Sequence, residues 1–376
     1  MTKAEKSRIQ KEIVDNLPPK PHGRLLLAPR VGKTKLMIDI IKREKPKSIL
    51  WVTPSAELAE VDIPKEFETW RAKKYLKCLT TVTWMSLNKI KGHFDLIVGD
   101  EEQFATENNC NGLLHQDFLT YNQIIFMTGT ATKHDHKKDL YRQLNLKVLV
   151  DLSINQAVNI GLLANYTIKV LEVDLGTEKN VPAGSKAKPF MTSEKAQYEY
   201  LTKVVQQAMF QRRKDSKFRI LNRMRAIKNS PSKFAATQEL LKRIGGRRMI
   251  FAGSIKQAEA LSDYTYHSKT DNKCLNAFKS GELDELALVN AGGTGHTYKA
   301  VDHLILVQAD SDKNGLTSQK ISRTLLDQKD YKATIWIVCL LDTQDEKWVA
   351  STLENFDKNK VEYIRFKNFD SYERNK

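Results

Sequence analysis

The stretch RLLLAPRVGKTKLMIDIIK, residues 24–42, runs from an apolar strand through a short turn into an amphipathic helix. That order, with Gly32-Lys33-Thr34 at the join, is the context of a phosphate-binding loop. Loop amides and a helix N-terminus offer N–H groups to phosphate oxygens. Lys33 can place an ammonium on the β- and γ-phosphates, and the Thr34 hydroxyl can ligate Mg²⁺. Arg30, Val31, Gly32, Lys33, Thr34 and Lys35 are therefore the candidate contacts to a nucleotide, with ATP and Mg²⁺ as the cofactors. The strict spacing asks for a glycine where Leu27 stands. A bare Gly-Lys-Thr arises by chance in a basic chain; the strand before it and the helix after it are what favour phosphate.

The same strand-to-turn logic recurs at HFDLIVGDEEQF, residues 93–104, where an apolar strand delivers Asp100 and Glu101 to its C-terminal end. Placed there, Asp100 can hold Mg²⁺, and Glu101 can orient and deprotonate a water that attacks a γ-phosphate. Two adjacent carboxylates at a strand end are otherwise a solvated turn. Here they follow the phosphate loop by about a domain's worth of strands and helices, and another strand, QIIFMTGTAT at 123–132, follows them.

Around these two points, short runs rich in branched apolar residues alternate with helical patterns: SILWVT and KCLTTVTW in the first half, RRMIFAGS, LALVNAGG, HLILVQAD and TIWIVCLL in the second. Strands that are apolar throughout and separated by helices predict parallel sheets buried on both faces. The rhythm occurs twice, so the expected fold class is α/β with two tandem domains, 1–165 and 166–376. The segment NQAVNIGLLANYTIKVLEVDL reads as the connection and the first strand of the second sheet. Residues 176–189, GTEKNVPAGSKAKP, read as an exposed loop. A helical region follows, and between 203 and 248 it is strongly basic.

Composition sets the class. Hydrophobic residues make up 41% and charged residues 28% of 376, an ordinary globular balance rather than a disordered one. The longest apolar run, ATIWIVCLL at 333–341, is far short of the ~20 residues that span a bilayer. The N-terminus lacks the apolar region of a secretory signal, so a cytoplasmic protein without a membrane partner is expected. Cys78, Cys110, Cys274 and Cys339 are scattered, which argues for free thiols rather than zinc. His134 and His136 flank Asp135, but the lysines beside them repel a cation, and they read as surface histidines. The formal net charge of +16 points to a polyanionic partner. Arg219, Arg223 and Arg225 in the basic stretch are candidate phosphate contacts, the alternative being a solvated helix face.

With GKT, DEEQ and TGTAT in order, the chain resembles the superfamily 2 helicases, whose motifs I, II and III these are similar to. WVTPSAEL at 51–58 resembles motif Ia, and TVTWMSLNK at 81–89 the motif before motif II. MIFAGSIKQAEAL at 249–261, NAGGTGHTYKAVDHLILV at 290–307 and SQKISRTLLDQ at 318–328 resemble motifs IV, V and VI. The phrases NQAVNIGLLANY and FKSGELDELALVNAGGTG are most similar to phage-encoded helicases of the UvsW type, which remodel branched DNA. The resemblance implies two RecA-like domains and an ATP-dependent motor on DNA, with RNA the less favoured partner. It also implies that Gln103 senses the γ-phosphate and that Thr128 and Thr130 link nucleotide state to closure. Gln10 would read adenine, although a plain surface residue fits its helical pattern nearly as well. Gly295 and Gln319 would line the cleft, and Arg323 would stabilise the transferred phosphoryl group. Pro54, Ser55, Thr83 and Ser254 would face nucleic acid, and the motor is expected to act as a monomer. Arg30 stands where these enzymes often have a small residue. The pattern Q-x-x-G-R-x-x-R becomes Gln319-x-x-Ser322-Arg323-x-x-Leu326, which leaves Arg323 as the only candidate finger. A helicase-like binding module with weak hydrolysis, and an RNA helicase, remain as alternatives.

Overall fold

The computed structural model describes residues 3–115, 119–129, 135–185, 187–289, 300–309, 316–322 and 332–369. Thr130, His134, Gly295 and Arg323 lie outside the described residues, as does the side chain of Gln319. The described chain up to Ala164 groups with the helix at Leu316–Ser322 into one compact unit; the chain from Asn165 onward, without that helix, forms the other.

In the first unit the strands are β1 (Gly23–Leu27), β2 (Ile49–Thr53), β3 (Leu79–Thr83), β4 (Gly92–Asp100), β5 (Leu119–Thr128) and β6 (Val148–Leu152). Its helices are α1 (Lys3–Asp15), α2 (Lys33–Glu44), α3 (Ile63–Thr69), α4 (Glu107–His115), α5 (Asp135–Gln143) and α6 (Ile154–Asn159). The six strands form one sheet in the order β3-β2-β4-β5-β1-β6, and every pairing is parallel. Every residue of β2 is buried, as expected of a central strand covered on both faces. Leu50, Val52, Ile97, Ile124 and Phe126 share one core cluster with Leu113 of α4 and Leu140 of α5.

The second unit contains β7 (Asn165–Val173), β8 (Val181–Ser185), β9 (Lys188–Thr192), β10 (Arg248–Phe251), β11 (Thr265–Tyr266), β12 (Glu285–Leu288), β13 (His303–Leu306), β14 (Lys332–Leu340) and β15 (Val361–Arg365). Its helices are α7 (Glu194–Phe210), α8 (Ser216–Lys228), α9 (Pro231–Arg243), α10 (Ile255–Leu261), α11 (Lys273–Ser280) and α13 (Gln344–Leu353); α12 is the helix Leu316–Ser322 grouped with the first unit. Seven strands form a parallel sheet in the order β11-β12-β10-β13-β14-β7-β15. Serine caps open three of its helices: Ser193, Ser230 and Ser254 each accept a hydrogen bond from the backbone three residues on. Two parallel α/β sheets are what the alternation of apolar runs led one to expect.

The stretch 176–189 is not simply a loop. Part of it, with the residues after it, forms the antiparallel hairpin β8–β9, in which Val181 faces Thr192 and Gly184 adopts φ +89°. Most of β9 is exposed, so the hairpin carries no hydrophobic period for a sequence reading to find. No helix among the described residues is long and apolar enough to cross a membrane, and all four cysteines are free thiols.

Candidate functional site

In a parallel sheet all strand C-termini lie on one edge, and ligands bind in the crevice beyond it. The turns after β1, β4 and β5 therefore open onto the same edge of the first sheet. After β1 the chain turns through Arg30, at φ +68°, and Gly32, at φ +90°. Gly32 caps α2 with no side-chain hydrogen bond, leaving the first N–H groups of the helix for an anion. The positive φ favours glycine here, and a Cβ would also meet Gln10 Nε2 at 2.3 Å, so that side chain would have to shift. Gln10 is buried rather than a surface residue, and its amide donates to the Val31 carbonyl at 2.7 Å. Its side chain is thus committed to the shape of this turn. The ammonium of Lys35 is engaged by Asp39 at 2.6 Å and lies over the ring of Trp70, which turns its side chain to other partners.

The turn after β4 is built with equal economy. Gly99 lies against Phe126 and Trp84, where a Cβ would clash at 2.4 Å, and the Trp84 indole N–H donates to the Asp100 carbonyl at 2.9 Å. Glu101 adopts φ +50°, a strained conformation for a side-chain-bearing residue. That turn aims its carboxylate at the ammonium of Lys33, which donates to Oε1. Gln103 Nε2 donates to the other oxygen at 2.8 Å, and Thr128 Oγ1, at the end of β5, donates to Gln103 Oε1 at 2.8 Å. Lys33, Glu101, Gln103 and Thr128 thus form a continuous polar chain linking the turns after β1, β4 and β5. Gly129, just beyond, lies close enough to Pro29 that an added Cβ would sit 3.1 Å from it.

A residue the sequence reading missed holds this turn in place. Lys137, in KHDHKK on α5, is fully buried and donates to the carbonyls of Glu102 at 2.9 Å and Gln103 at 2.7 Å. In the sequence it stands among lysines that flank surface-like histidines, of which His136 is half-buried. Replacing Lys137 with Met is expected to destabilise the first unit by roughly 3 kcal/mol, because two buried carbonyls lose a charged donor. Thermal melting should show this; an unchanged melting temperature would contradict the stapling role.

Two carboxyls in this turn are held unusually protonated. Burial pushes Asp100 up to about 7, the charge of Glu101 adds to the effect, and Lys33 opposes it. Burial likewise pushes Glu102 up to about 7, against the pull of the Tyr141 hydroxyl, Arg24 and Lys137. Between pH ~4, where such acids ionise in the unfolded chain, and the folded values, folding takes up protons. Stability from these groups is fully present below the lower limit and is lost as pH rises through about 7. Glu102→Gln, neutral and of the same shape, should raise the urea midpoint over that of the parent chain near pH ~8, and the gap should close as pH falls to ~4 and below. A lower midpoint in the variant at the alkaline end would contradict this.

The remaining candidates fall in two places. Thr53 and Thr83 are register partners at the C-terminal ends of β2 and β3, so Pro54, Ser55 and Thr83 share the sheet edge with the polar chain. Ser254 caps α10 in the second unit. Arg219 pairs with Asp215 at 2.8 Å, and Arg225 is exposed on α8.

No protein-family model matches the sequence, and no protein of curated function matches it. Solved structures do. The helicase domain of Pyrococcus furiosus Hef aligns over 92% of this chain and 97% of its own, at 13% identity and a TM-score of 0.51. S. cerevisiae Dbp5 bound to RNA and ADP BeF3 aligns over 98% and 92%, at 13% identity and 0.58. The ATP-dependent type ISP restriction-modification enzyme LlaBIII, bound to DNA, aligns over 99% of this chain but only 32% of its own, at 13% identity and 0.61. At such identities the likeness establishes the fold: two tandem RecA-like units.

Proposed function

We propose that the chain is an ATP-driven motor of the superfamily 2 helicase type that unwinds or branch-migrates DNA, its ATP hydrolysis stimulated by the DNA it moves on. The observation that carries this reading is the polar chain Lys33–Glu101–Gln103–Thr128, which joins the segments resembling motifs I, II and III at one sheet edge. Residues 1–165 would be the ATP-binding domain and the rest the second helicase domain. The neighbours include one bound to DNA and one bound to RNA and ADP BeF3, which supports a nucleic acid and an adenine nucleotide as partners.

The residues present fit Mg-ATP. The uncapped N-terminus of α2 and the ammonium of Lys33 suit phosphate oxygens. Asp100 and Thr34 offer hard oxygen donors, and Mg²⁺ asks for only one or two protein carboxylates when phosphates complete its shell. The raised pKa of Asp100, buried beside Glu101, is that of a carboxylate whose charged form gains from a neighbouring cation. When bound, the ion would draw charge off the γ-phosphoryl group. Glu101 would take the proton of the attacking water, and Gln103, held between Glu101 and Thr128, would pass the state of the γ-phosphate to the turn after β5. Arg323 would supply positive charge to the departing phosphoryl group.

Strand displacement tests the motor. The chain with ATP is expected to displace a strand from forked or four-way DNA, and Lys33→Ala is expected not to. Hydrolysis without displacement of any DNA substrate would reduce the chain to a nucleic-acid-dependent ATPase. Grip is tested by salt. Replacing Arg219, Arg223 and Arg225 together with Gln should flatten the slope of log K against log salt on duplex DNA by up to ~2–3, since each phosphate contact contributes roughly 0.9. An unchanged slope would make this stretch a solvated face.

A further inference from the structure

The helical hairpin α7–α8 of the second unit leaves unusual surface in water. Among the described residues fourteen large apolar side chains are exposed, and five of them, Tyr200, Met209, Phe210, Phe218 and Leu221, belong to this hairpin. Phe210, the last residue of α7, is 91% exposed, and Phe218, in the first turn of α8, is 59% exposed. Scattered single exposures need no explanation, but a cluster of this kind marks a binding surface.

The pattern has helical order. On α7, Tyr200, Lys203, Gln207 and Phe210 recur at the spacing of one face, and all four are exposed; on α8, Phe218, Leu221 and Arg225 do the same. The inward face of α7 is accounted for by Tyr198, Val205 and Ala208, which are buried, so these rings are not a core waiting for rotation. Arg212, Lys214 and Lys217, all exposed, fall between the two phenylalanines in the sequence at the hairpin tip, and from 211 to 228 the one acid is Asp215. That acid is engaged by Arg213 and Arg219.

Aromatic rings set among cations are the chemistry of single-strand recognition: the cations follow the phosphates, and the rings stack on bases of any sequence. Base faces are covered by neighbouring pairs in a duplex and open in a single strand. We propose that the tip of the α7–α8 hairpin is a single-stranded nucleic-acid site in which Phe210 and Phe218 stack on unpaired bases. This deepens the motor reading and rests on it for its biological purpose, since a strand-separating motor must hold what it has opened. The site itself is independent of ATP.

The test is fluorescence anisotropy without nucleotide, so its outcome does not depend on whether the chain hydrolyses ATP. The probes are a labelled oligothymidylate and a blunt duplex of equal length. The double variant Phe210→Ala/Phe218→Ala should bind the single strand at least ~30-fold more weakly, the loss of two stacked bases, and the duplex nearly as before. The salt slope on the single strand should not move, because no charge has been removed. Phe210→Trp, with a larger ring, should bind the single strand at least as tightly as the parent chain, which separates stacking from damage to the hairpin. Equal losses on both probes, a changed salt slope, or no loss at all would overturn the proposal. So would light scattering that shows a dimer of the parent chain and a monomer of the double variant, for then a second copy covers the rings.

Discussion

Lys33→Ala is expected to lower ATP hydrolysis by at least ~10²-fold, the scale on which removing one preorganised charge donor acts, while nucleotide-free binding to DNA survives. Lys33 stands at the first residue of α2, immediately after a glycine in the left-handed region, and its ammonium meets the carboxylate of Glu101. One cation therefore serves two roles in the proposed cycle: it neutralises the β- and γ-phosphates, and it orders the base that activates water. Alanine removes both. The candidate DNA contacts belong to other elements: Pro54, Ser55 and Thr83 lie at the ends of β2 and β3, and the hairpin lies in the second unit. Phosphate release and DNA anisotropy on the same preparation check the split. Undiminished hydrolysis would sink the assignment of the phosphate loop.

Glu101→Gln is expected to retain Mg-ATP but to lose turnover by ~10²–10⁴-fold, the range that general-base catalysis supplies. The carboxylate accepts from Lys33 on one oxygen and from Gln103 on the other. An amide keeps the shape and one acceptor, and it has no basicity with which to take a proton from water. The strained backbone at φ +50° belongs to the turn and is unchanged by the substitution. Binding of a fluorescent ATP analogue, measured beside steady-state turnover, separates the effects. Loss of nucleotide binding together with turnover would make Glu101 a structural residue.

The fold was legible because its signal is repeated and physical. A strand such as Ile49–Thr53, buried at every position, has to be almost wholly apolar, and Lys332–Leu340 in the second sheet, buried at most positions, reads the same way. Gly32-Lys33-Thr34 and the Asp100-Glu101 pair could be picked out as candidates because phosphate and metal chemistry asks for such residue types at strand ends, and Lys33 and Glu101 do meet in the folded chain. Other features are invisible before the chain folds. Lys137 sits in a run of charge that looks solvated; only the packing of α5 behind the turn after β4 makes it a buried donor to two carbonyls. Glu102 looks like one more acid in DEEQ, yet it is buried and held near neutrality. Gln10 fits a surface helix by its pattern and is in fact packed under Gly32. The β8–β9 hairpin was missed for the opposite reason: its strands are so exposed that no apolar alternation marks them.

ATP hydrolysis at the first sheet edge is expected to be coupled to nucleic acid. The most direct measurement is the steady-state rate of phosphate release with no nucleic acid and with saturating single-stranded, duplex, forked and four-way DNA and matched RNA. The expected result is a low basal rate that DNA, above all branched or single-stranded DNA, raises at least ~10-fold, with RNA far less effective and Lys33→Ala inactive throughout. A rate that no nucleic acid changes, or a rate that Lys33→Ala leaves intact, would contradict the account.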